Sequence, residues 1–237
     1  MSASAEPRER EALSFLDKLP DRLGGVLVGG YAISAYGPAR FSDDVDLTFP
    51  YRQEESTTEW LGEAGIRAKR TFEFHGLNGP LSKLRIAHGL LSGDLYFGGL
   101  QSRETGSVVD GDWISVHSRP IVLSLTTRRA SRPIAVARPE ALWVLKILAG
   151  RSQDVTDLFA ISSVPIAVEE VSRKLSTYDS VRERYFLEGV RRRVDRDEDY
   201  LDALSRRGLG SPKLARNLTA WNKFKALIDD VISPSMT

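Results

Sequence analysis

One stretch of the sequence decides the fold, Val26-Leu-Val-Gly-Gly-Tyr-Ala-Ile-Ser-Ala-Tyr-Gly-Pro-Ala-Arg-Phe-Ser-Asp-Asp-Val-Asp-Leu-Thr-Phe49. The apolar run at 25–28 is typical of a buried strand, and residues 31–36 predict a helix that ends at Gly37-Pro38. Residues 45–49 alternate between apolar and polar side chains, which predicts a second strand. Gly29 and Gly30 therefore lie between a strand and a helix, where backbone N–H groups can approach a phosphate without side-chain obstruction.

Two carboxylates, Asp44 and Asp46, are expected on one face of the second strand, because residues two apart in a strand point the same way. Like charges this close are unfavourable unless a cation lies between them. Oxygen ligands beside a phosphate suit Mg²⁺ or Mn²⁺. The pair therefore predicts a metal site for phosphoryl transfer, with ions roughly 3.5–4 Å apart aligning the attacking and leaving oxygens.

A third carboxylate, Asp94, opens a short apolar strand after Gly93. If its strand is a neighbour of the strand at 45–49, Asp94 joins the pair as a metal ligand or as the base that deprotonates an acceptor hydroxyl. The sequence does not show whether the two strands are adjacent, and Gly-Asp also forms plain turns.

The rest of the chain predicts an α+β fold with two domains. A helix is expected at 8–19 and another at 56–64, and strand-like runs follow at 66–74, 84–91, 94–97, 113–117, 120–125 and 133–137. Strands in close succession with few helices among them favour a mixed sheet with flanking helices over a doubly wound parallel sheet. From residue 139 the pattern is helical, at 139–150, 152–161, 167–177, 180–207 and 211–232. We therefore expect a catalytic domain at 1–138 and a helical domain at 139–237.

Composition excludes several classes of site. The chain of 237 residues has no cysteine, so it contains no disulfide framework, thiolate nucleophile or cysteine-ligated metal. Its net charge of +1 predicts no partner by itself. The charged N-terminus is unlike a signal peptide and no segment has the length of a membrane helix, so we expect a soluble, cytoplasmic protein without a membrane partner.

The glycine pair, the following helix, Arg40-x-Ser42, Asp44-x-Asp46 and a later strand aspartate resemble the DNA polymerase β-type nucleotidyltransferase superfamily. Residues 137–158, with Lys146 and the Arg151–Asp157 stretch, resemble the helical segment of prokaryotic minimal nucleotidyltransferases. These include the AbiEii-type toxins of type IV toxin–antitoxin systems. The resemblance covers about residues 25–160.

The resemblance implies transfer of a nucleoside monophosphate from an NTP to a hydroxyl acceptor, with Mg²⁺ or Mn²⁺ as cofactor. Lys146 would contact the triphosphate, Asp157 would orient the lysine or the metal, and Arg40 and Ser42 would help to hold phosphates. The acceptor would be RNA such as tRNA, a partner protein or a small molecule. A toxin role would imply a cognate antitoxin.

The basic segment at 205–225 favours RNA, because it carries Lys and Arg without an acidic residue and interleaves Trp221 and Phe224. A solvated face of an amphipathic terminal helix explains the same composition.

Each feature also has a purely structural interpretation. The glycine pair suits a tight turn and the aspartates suit a solvated strand end, while Asp43 becomes a ligand only if the register slips by one. Lys146 suits a lysine that extends its charge to the surface of a packed helix, and Arg151, Asp154 and Asp157 suit surface ion pairs. The alternative functions are a non-catalytic nucleotide- or RNA-binding module on the same fold, and a structural component such as an antitoxin or scaffold.

Overall fold

The computed structural model describes residues 5–37, 42–76, 79–103, 105–125, 128–178, 188–189, 191–192 and 218–232. The chain forms two compact units. The first is built from residues within 1–35, 39–101 and 108–138, and the second from residues within 36–38, 102–107 and 139–237. The second unit thus combines the C-terminal part of the chain with two short earlier segments.

The first unit contains four helices and nine strands among its described residues. In chain order they are α1 (Ala5–Lys18), β1 (Val26–Val28), α2 (Gly29–Ser34), β2 (Val45–Phe49), α3 (Glu54–Glu63), β3 (Arg67–Gly76), β4 (Gly79–His88), β5 (Leu91–Phe97), β6 (Gly99–Gln101), β7 (Val108–Asp110), α4 (Gly111–Val116), β8 (Ser118–Ile121) and β9 (Ile134–Ala137).

Seven of these strands form one mixed sheet in the order β3-β4-β5-β2-β1-β9-β8, and β6 pairs with β7 in a small second sheet. The pairs β2–β5 and β1–β9 are parallel, and the other neighbours in the large sheet are antiparallel. The predicted α+β class with a mixed sheet and flanking helices is therefore confirmed.

A row of leucines fixes the register at the centre of the sheet. Leu27 of β1 is opposite Leu47 of β2, Leu47 is opposite Leu95 of β5, and Leu95 is opposite Leu84 of β4. All four side chains are buried. A slip of one residue would move each leucine to the other face of the sheet, so burial of this row specifies the pairing strongly.

The second unit is helical where the structure describes it, apart from its short early segments. Its helices are α5 (Pro139–Ala149), α6 (Ser152–Ile161), α7 (Val168–Ser176) and α8 (Leu218–Ile232). Trp143, Phe159 and Phe224 pack together in its core, with Phe224 ring centroids 6.1 Å from Trp143 and 5.4 Å from Phe159. Phe224 is therefore a core residue, which agrees with the amphipathic-helix interpretation of this part of the basic segment, and its ring is not exposed to a nucleic acid base.

Three predicted elements differ from the structure. The strand expected at 84–91 is divided, because Gly89 and Leu90 form the turn between β4 and β5, and Gly89 has the positive φ of +58° that such a turn favours. Residues 113–117 were expected to be a strand, yet Gly111–Val116 is the helix α4. The reason is a local cap: the Asp110 carboxylate accepts a hydrogen bond from the Trp113 backbone N–H at 2.9 Å, which stabilises a helix start. The expected strand at 120–125 is β8, which ends at Ile121.

Several expectations fall on other parts of the chain. Most of the helix expected at 180–207, the beginning of the one expected at 211–232 and Arg40 lie outside the described residues. Among the residues that are described, no helix combines the length and the apolar character needed to cross a lipid bilayer.

Candidate active site

Asp46 and Asp94 lie side by side at the centre of the large sheet. They are register partners on the parallel strands β2 and β5, so the adjacency that the sequence left open is present. Each aspartate precedes a leucine of the buried row, and alternation along the strand turns both carboxylates to the opposite face from those leucines. We call this side of the sheet the acidic face.

Asp44 is brought to the same face although it precedes the first residue of β2. Its Oδ1 accepts a hydrogen bond from Arg85 Nη2 at 2.9 Å and a short one from Ser92 Oγ. Arg85 Nη1 lies 3.1 Å from Asp94 Oδ1, so one guanidinium bridges the two carboxylates. Ser42 Oγ donates to the Asp44 backbone carbonyl at 3.1 Å, which places Ser42 as a support of this loop.

Two cations of β4, Lys83 and Arg85, are part of the site and were not predicted. Lys83 Nζ lies 2.7 Å from Asp94 Oδ2 and 5.1 Å from the centre of the Tyr96 ring. Partial burial disfavours the charged guanidinium of Arg85, but its contacts with Asp94 and Asp44 outweigh this effect and raise the pKa of Arg85 above its ordinary value. The alternation of basic and apolar residues in Lys83-Leu84-Arg85 was the available signal. It points to the site only once the pairing of β4 with β5 is known.

The donor set fits a divalent cation in part. Asp94 Oδ1 is buried, and its close neighbour is the Arg85 guanidinium, which it meets in an ion pair of 3.1 Å. Such an oxygen, beside Asp46 on the next strand, suits a hard cation. Within the described residues, no three Asp, Glu or His side chains enclose a metal ion by themselves. An ion here would therefore take further oxygen ligands from water or substrate phosphates.

Gly29 borders the carboxylate of Asp46. Its φ of +67° lies in the left-handed region that favours glycine. A Cβ added at Gly29 would overlap the Asp46 carboxylate, at 2.8 Å from its Cγ. Gly29 is thus required both by the backbone and by the space that Asp46 occupies, and Gly30 follows it as a buried residue of α2. Their predicted contact with phosphate stays a prediction.

Tyr31, directly after the glycine pair, is a buried tyrosine whose pKa is raised to about 12. Burial is the main cause, and the negative charges of Glu9 and Asp43 add to it. The phenol therefore stays neutral at physiological pH and contributes no charge to the acidic face.

A second ionic cluster lies within the helical unit. Lys146 Nζ is 2.9 Å from Asp154 Oδ1 and 2.7 Å from Asp157 Oδ2, and both carboxylates have side-chain exposures of 0%. Arg151 Nε donates to Asp154 Oδ2 at 2.7 Å. Lys146 and its two partners are therefore buried. The structural interpretation of Lys146 as a lysine that extends to solvent is wrong, and so is that of Asp154 and Asp157 as members of surface ion pairs.

Burial by itself raises the pKa of the Asp154 carboxyl, but hydrogen bonding by Arg151 and the charge of Lys146 outweigh it, so this pKa is lowered. The Lys146 ammonium already has two carboxylate partners. The predicted roles of Lys146 at the triphosphate and of Asp157 as its orienting group stay predictions, and the observed contacts give both residues a structural role.

The variant Gly29→Ala is expected to reduce stability and, together with it, the Mg²⁺-dependent binding of ATP that the resemblance predicts, because its methyl group displaces the Asp46 carboxylate. Strain at a left-handed residue costs on the order of 1–3 kcal/mol. Denaturant unfolding and calorimetric titration with Mg²⁺ and ATP measure the two effects. Gly62→Ala is the control, because a Cβ there meets nothing within 4 Å. Equal behaviour of the two variants would contradict the assigned packing.

The variant Lys146→Met is expected to lower the free energy of unfolding by about 3–5 kcal/mol at neutral pH, because it leaves buried carboxylates without their cation. Lys223→Met, at an exposed position of α8, is the control.

Because the pKa of Asp154 is lowered in the folded state, its stabilising effect is present above the unfolded value of about 4 and is lost as pH falls through the folded value. Denaturation curves measured from about pH 3 to about pH 7, the range in which carboxylates titrate, test both statements. Equal stability of Lys146→Met and Lys223→Met would contradict the first, and a stability of the unmodified protein that does not fall toward low pH would contradict the second.

Comparison with known proteins gives a likeness of fold. No protein-family profile matches the chain, and no curated protein matches its sequence. Among solved structures, the chain is similar to a crystal structure described as a candidate nucleotidyltransferase from H. pylori, with a TM-score of 0.51 and 14% sequence identity. The match covers 98% of this chain and 97% of that chain. The chain therefore has a nucleotidyltransferase-like fold.

Proposed function

We propose that the chain is a metal-dependent nucleotidyltransferase that moves a nucleoside monophosphate from an NTP to a hydroxyl acceptor and releases pyrophosphate. The observation that carries this proposal is the register of β2 and β5, which sets Asp46 beside Asp94, while Arg85 holds Asp44 at the same face. Three carboxylates on one face of a nucleotidyltransferase-like fold offer oxygen ligands for the cation of phosphoryl transfer, and water or substrate phosphates would supply the remaining ligands.

Asp44, Asp46 and Asp94 would hold Mg²⁺ or Mn²⁺, which when bound neutralises charge at the reacting phosphate and lowers the pKa of the acceptor hydroxyl. Asp94 is the carboxylate we assign to take the hydroxyl proton, since its Oδ1 is buried and accepts no hydrogen bond, and the ion pair with Arg85 would have to open for this role. As the acceptor oxygen bonds to the α-phosphorus, the bond from that phosphorus to the pyrophosphate oxygen breaks.

Lys83 and Arg85 would bind the phosphates of the NTP. In the structure these cations neutralise Asp44 and Asp94, which otherwise repel each other. Because the Lys83 ammonium and the Arg85 guanidinium lie on the same face as the carboxylates, they would pair with the phosphate oxygens of a bound NTP. Such charge-assisted pairs are strongest where solvent is excluded.

We propose that the acceptor is RNA, with tRNA among the candidates. We further propose that the protein acts in the cytoplasm as the toxin of a toxin–antitoxin pair and is bound by a cognate antitoxin. The resemblance of residues 25–160 to prokaryotic minimal nucleotidyltransferases, which include the AbiEii-type toxins, supports both the RNA acceptor and the toxin role. The basic segment at 205–225 supports RNA binding less strongly, because Phe224 is buried in the helical core.

A second candidate is a nucleotide- or RNA-binding module that does not catalyse transfer. One observation favours it: Asp94, the proposed base, lies within 2.7 Å of Lys83 and 3.1 Å of Arg85. Ion pairs with two cations of the same sheet thus occupy the carboxylate that catalysis would need for the proton.

Nucleotidyl transfer is tested by incubating the protein with each α-³²P-labelled NTP, Mg²⁺, total cellular RNA and lysate protein. We expect label in an RNA or protein band, and its loss in the double variant Asp44→Asn, Asp46→Asn. Asp43→Asn is the matched control, because Asp43 adjoins the pair but points its largely exposed side chain to Arg8, at 2.6 Å.

The outcomes separate the two candidates. Label that persists in the double variant would contradict the assigned carboxylates. Absence of label with every NTP, together with Mg²⁺-dependent NTP binding that the double variant loses, would select the binding module instead.

A further inference from the structure

The edge strand β3 presents two aromatic rings to solvent. Phe72 is 37% exposed and Phe74 is 47% exposed. Their rings are stacked, with centroids 6.4 Å apart and an angle of 22° between the planes. Large apolar side chains are usually withdrawn from the surface, so a stacked and exposed pair on an edge strand needs an explanation.

Register places these rings on the acidic face. Phe72 is opposite Lys83, Lys83 is opposite Tyr96, and Tyr96 is opposite Thr48, two residues after Asp46. Side chains at directly opposite positions share a face, so one face continues from the rings to the proposed active site. The rings lie three strand spacings from β2, about 14 Å at the usual spacing of neighbouring strands.

A bulge at Thr71 creates this arrangement. The pairing of β3 with β4 shifts between Arg70 and Phe72, so Thr71 is the extra residue. Simple alternation from Lys69 would turn Phe72 to the other side. With the bulge, both residues share one face, and Lys69 lies opposite Arg85.

Basic side chains surround the rings on this face. Arg67 and Lys69 precede them on β3, and both are exposed. Lys83 and Arg85 lie opposite on β4. No register position of β3 or β4 on this face carries an acidic residue. We call the six side chains together the aromatic–basic surface: Arg67, Lys69, Phe72, Phe74, Lys83 and Arg85.

We propose that the aromatic–basic surface binds the single-stranded end of an RNA acceptor and leads it to the acidic face. The proposal rests on the proposed function, whose acceptor class it specifies. Aromatic rings stack on unpaired bases, and Lys and Arg side chains pair with the phosphates between them. The bases of a duplex are already stacked on each other, so the rings discriminate against double strands.

Charge decides between RNA and a protein partner. An apolar protein interface is depleted in charged side chains at its centre, and lysine is among the residues it disfavours. Here the two rings adjoin the exposed cations Arg67 and Lys69, and no register position of β3 or β4 on this face carries an anion. Lys83 and Arg85 continue the basic row toward the carboxylates of Asp94 and Asp44, with which they are paired. That composition is complementary to a phosphate backbone with unpaired bases.

Binding is measured by fluorescence anisotropy with a labelled single-stranded RNA of about 12 nucleotides, within the site sizes known for such proteins. The protein carries Asp44→Asn and Asp46→Asn, and the buffer contains EDTA and no NTP, so binding is read without any transfer. Failure of the surface and failure of the proposed activity are thereby distinguishable.

In that background, Phe72→Leu and Phe74→Leu are each expected to weaken binding about tenfold, because leucine keeps the apolar area and loses the stacking ring. Leu90→Ala removes another exposed apolar side chain and is expected to leave the affinity for RNA unchanged.

Lys69→Gln is expected to lower the salt dependence of binding, because it removes a cation that would pair with phosphate. Arg22→Gln, at an exposed residue of the 3₁₀ turn Asp21–Leu23, is the charge control and is expected to leave the salt dependence unchanged.

Three results would overturn the proposal. The first is the absence of RNA binding. The second is unchanged affinity in both leucine variants, which would mean that binding is electrostatic alone or occurs elsewhere. The third is equal affinity for a duplex of the same length, because stacking on unpaired bases requires a single strand.

Discussion

Burial of one leucine row determines where every charged group of the candidate site lies. Leu27, Leu47, Leu95 and Leu84 are opposite one another on four adjacent strands and are withdrawn from water. Because side chains alternate along a strand, the neighbours of these leucines are forced to the other face in the same register. Apolar burial, the largest favourable contribution to folding, thus fixes the position of carboxylates whose mutual repulsion opposes it.

The acidic face is balanced by cations that belong to the same sheet. Arg85 bridges Asp44 and Asp94, and Lys83 holds the second oxygen of Asp94. These ion pairs offset the mutual repulsion of the carboxylates, and in the proposed function the same two cations would pair with the phosphates of the nucleotide. The Lys146 cluster of the helical unit differs, because burial of both its carboxylates makes it a determinant of stability.

Much of the fold was predictable from local signals, and the site was predictable only in part. The alternation of residues 45–49 and the helical pattern after residue 139 predicted elements that the structure contains. The strand expected at 113–117 was wrong because one side-chain cap at Asp110 outweighed its apolar composition. Lys83 and Arg85 were missed because their contacts depend on pairing between strands, and Phe72 was missed because a bulge reversed its face. Arrangements that depend on non-local register leave little trace in a single sequence.

The proposed function requires that Asp44, Asp46 and Asp94 form a cation-dependent nucleotide site. The decisive measurement is electron paramagnetic resonance of Mn²⁺, titrated into the protein in the presence of α,β-methylene ATP, an analogue that cannot transfer its nucleotide. We expect a bound Mn²⁺ signal that requires the nucleotide, is lost in Asp46→Asn and persists in Asp43→Asn. Equal Mn²⁺ binding by both variants, or no Mn²⁺ binding by the unmodified protein, would show that these carboxylates do not form the site.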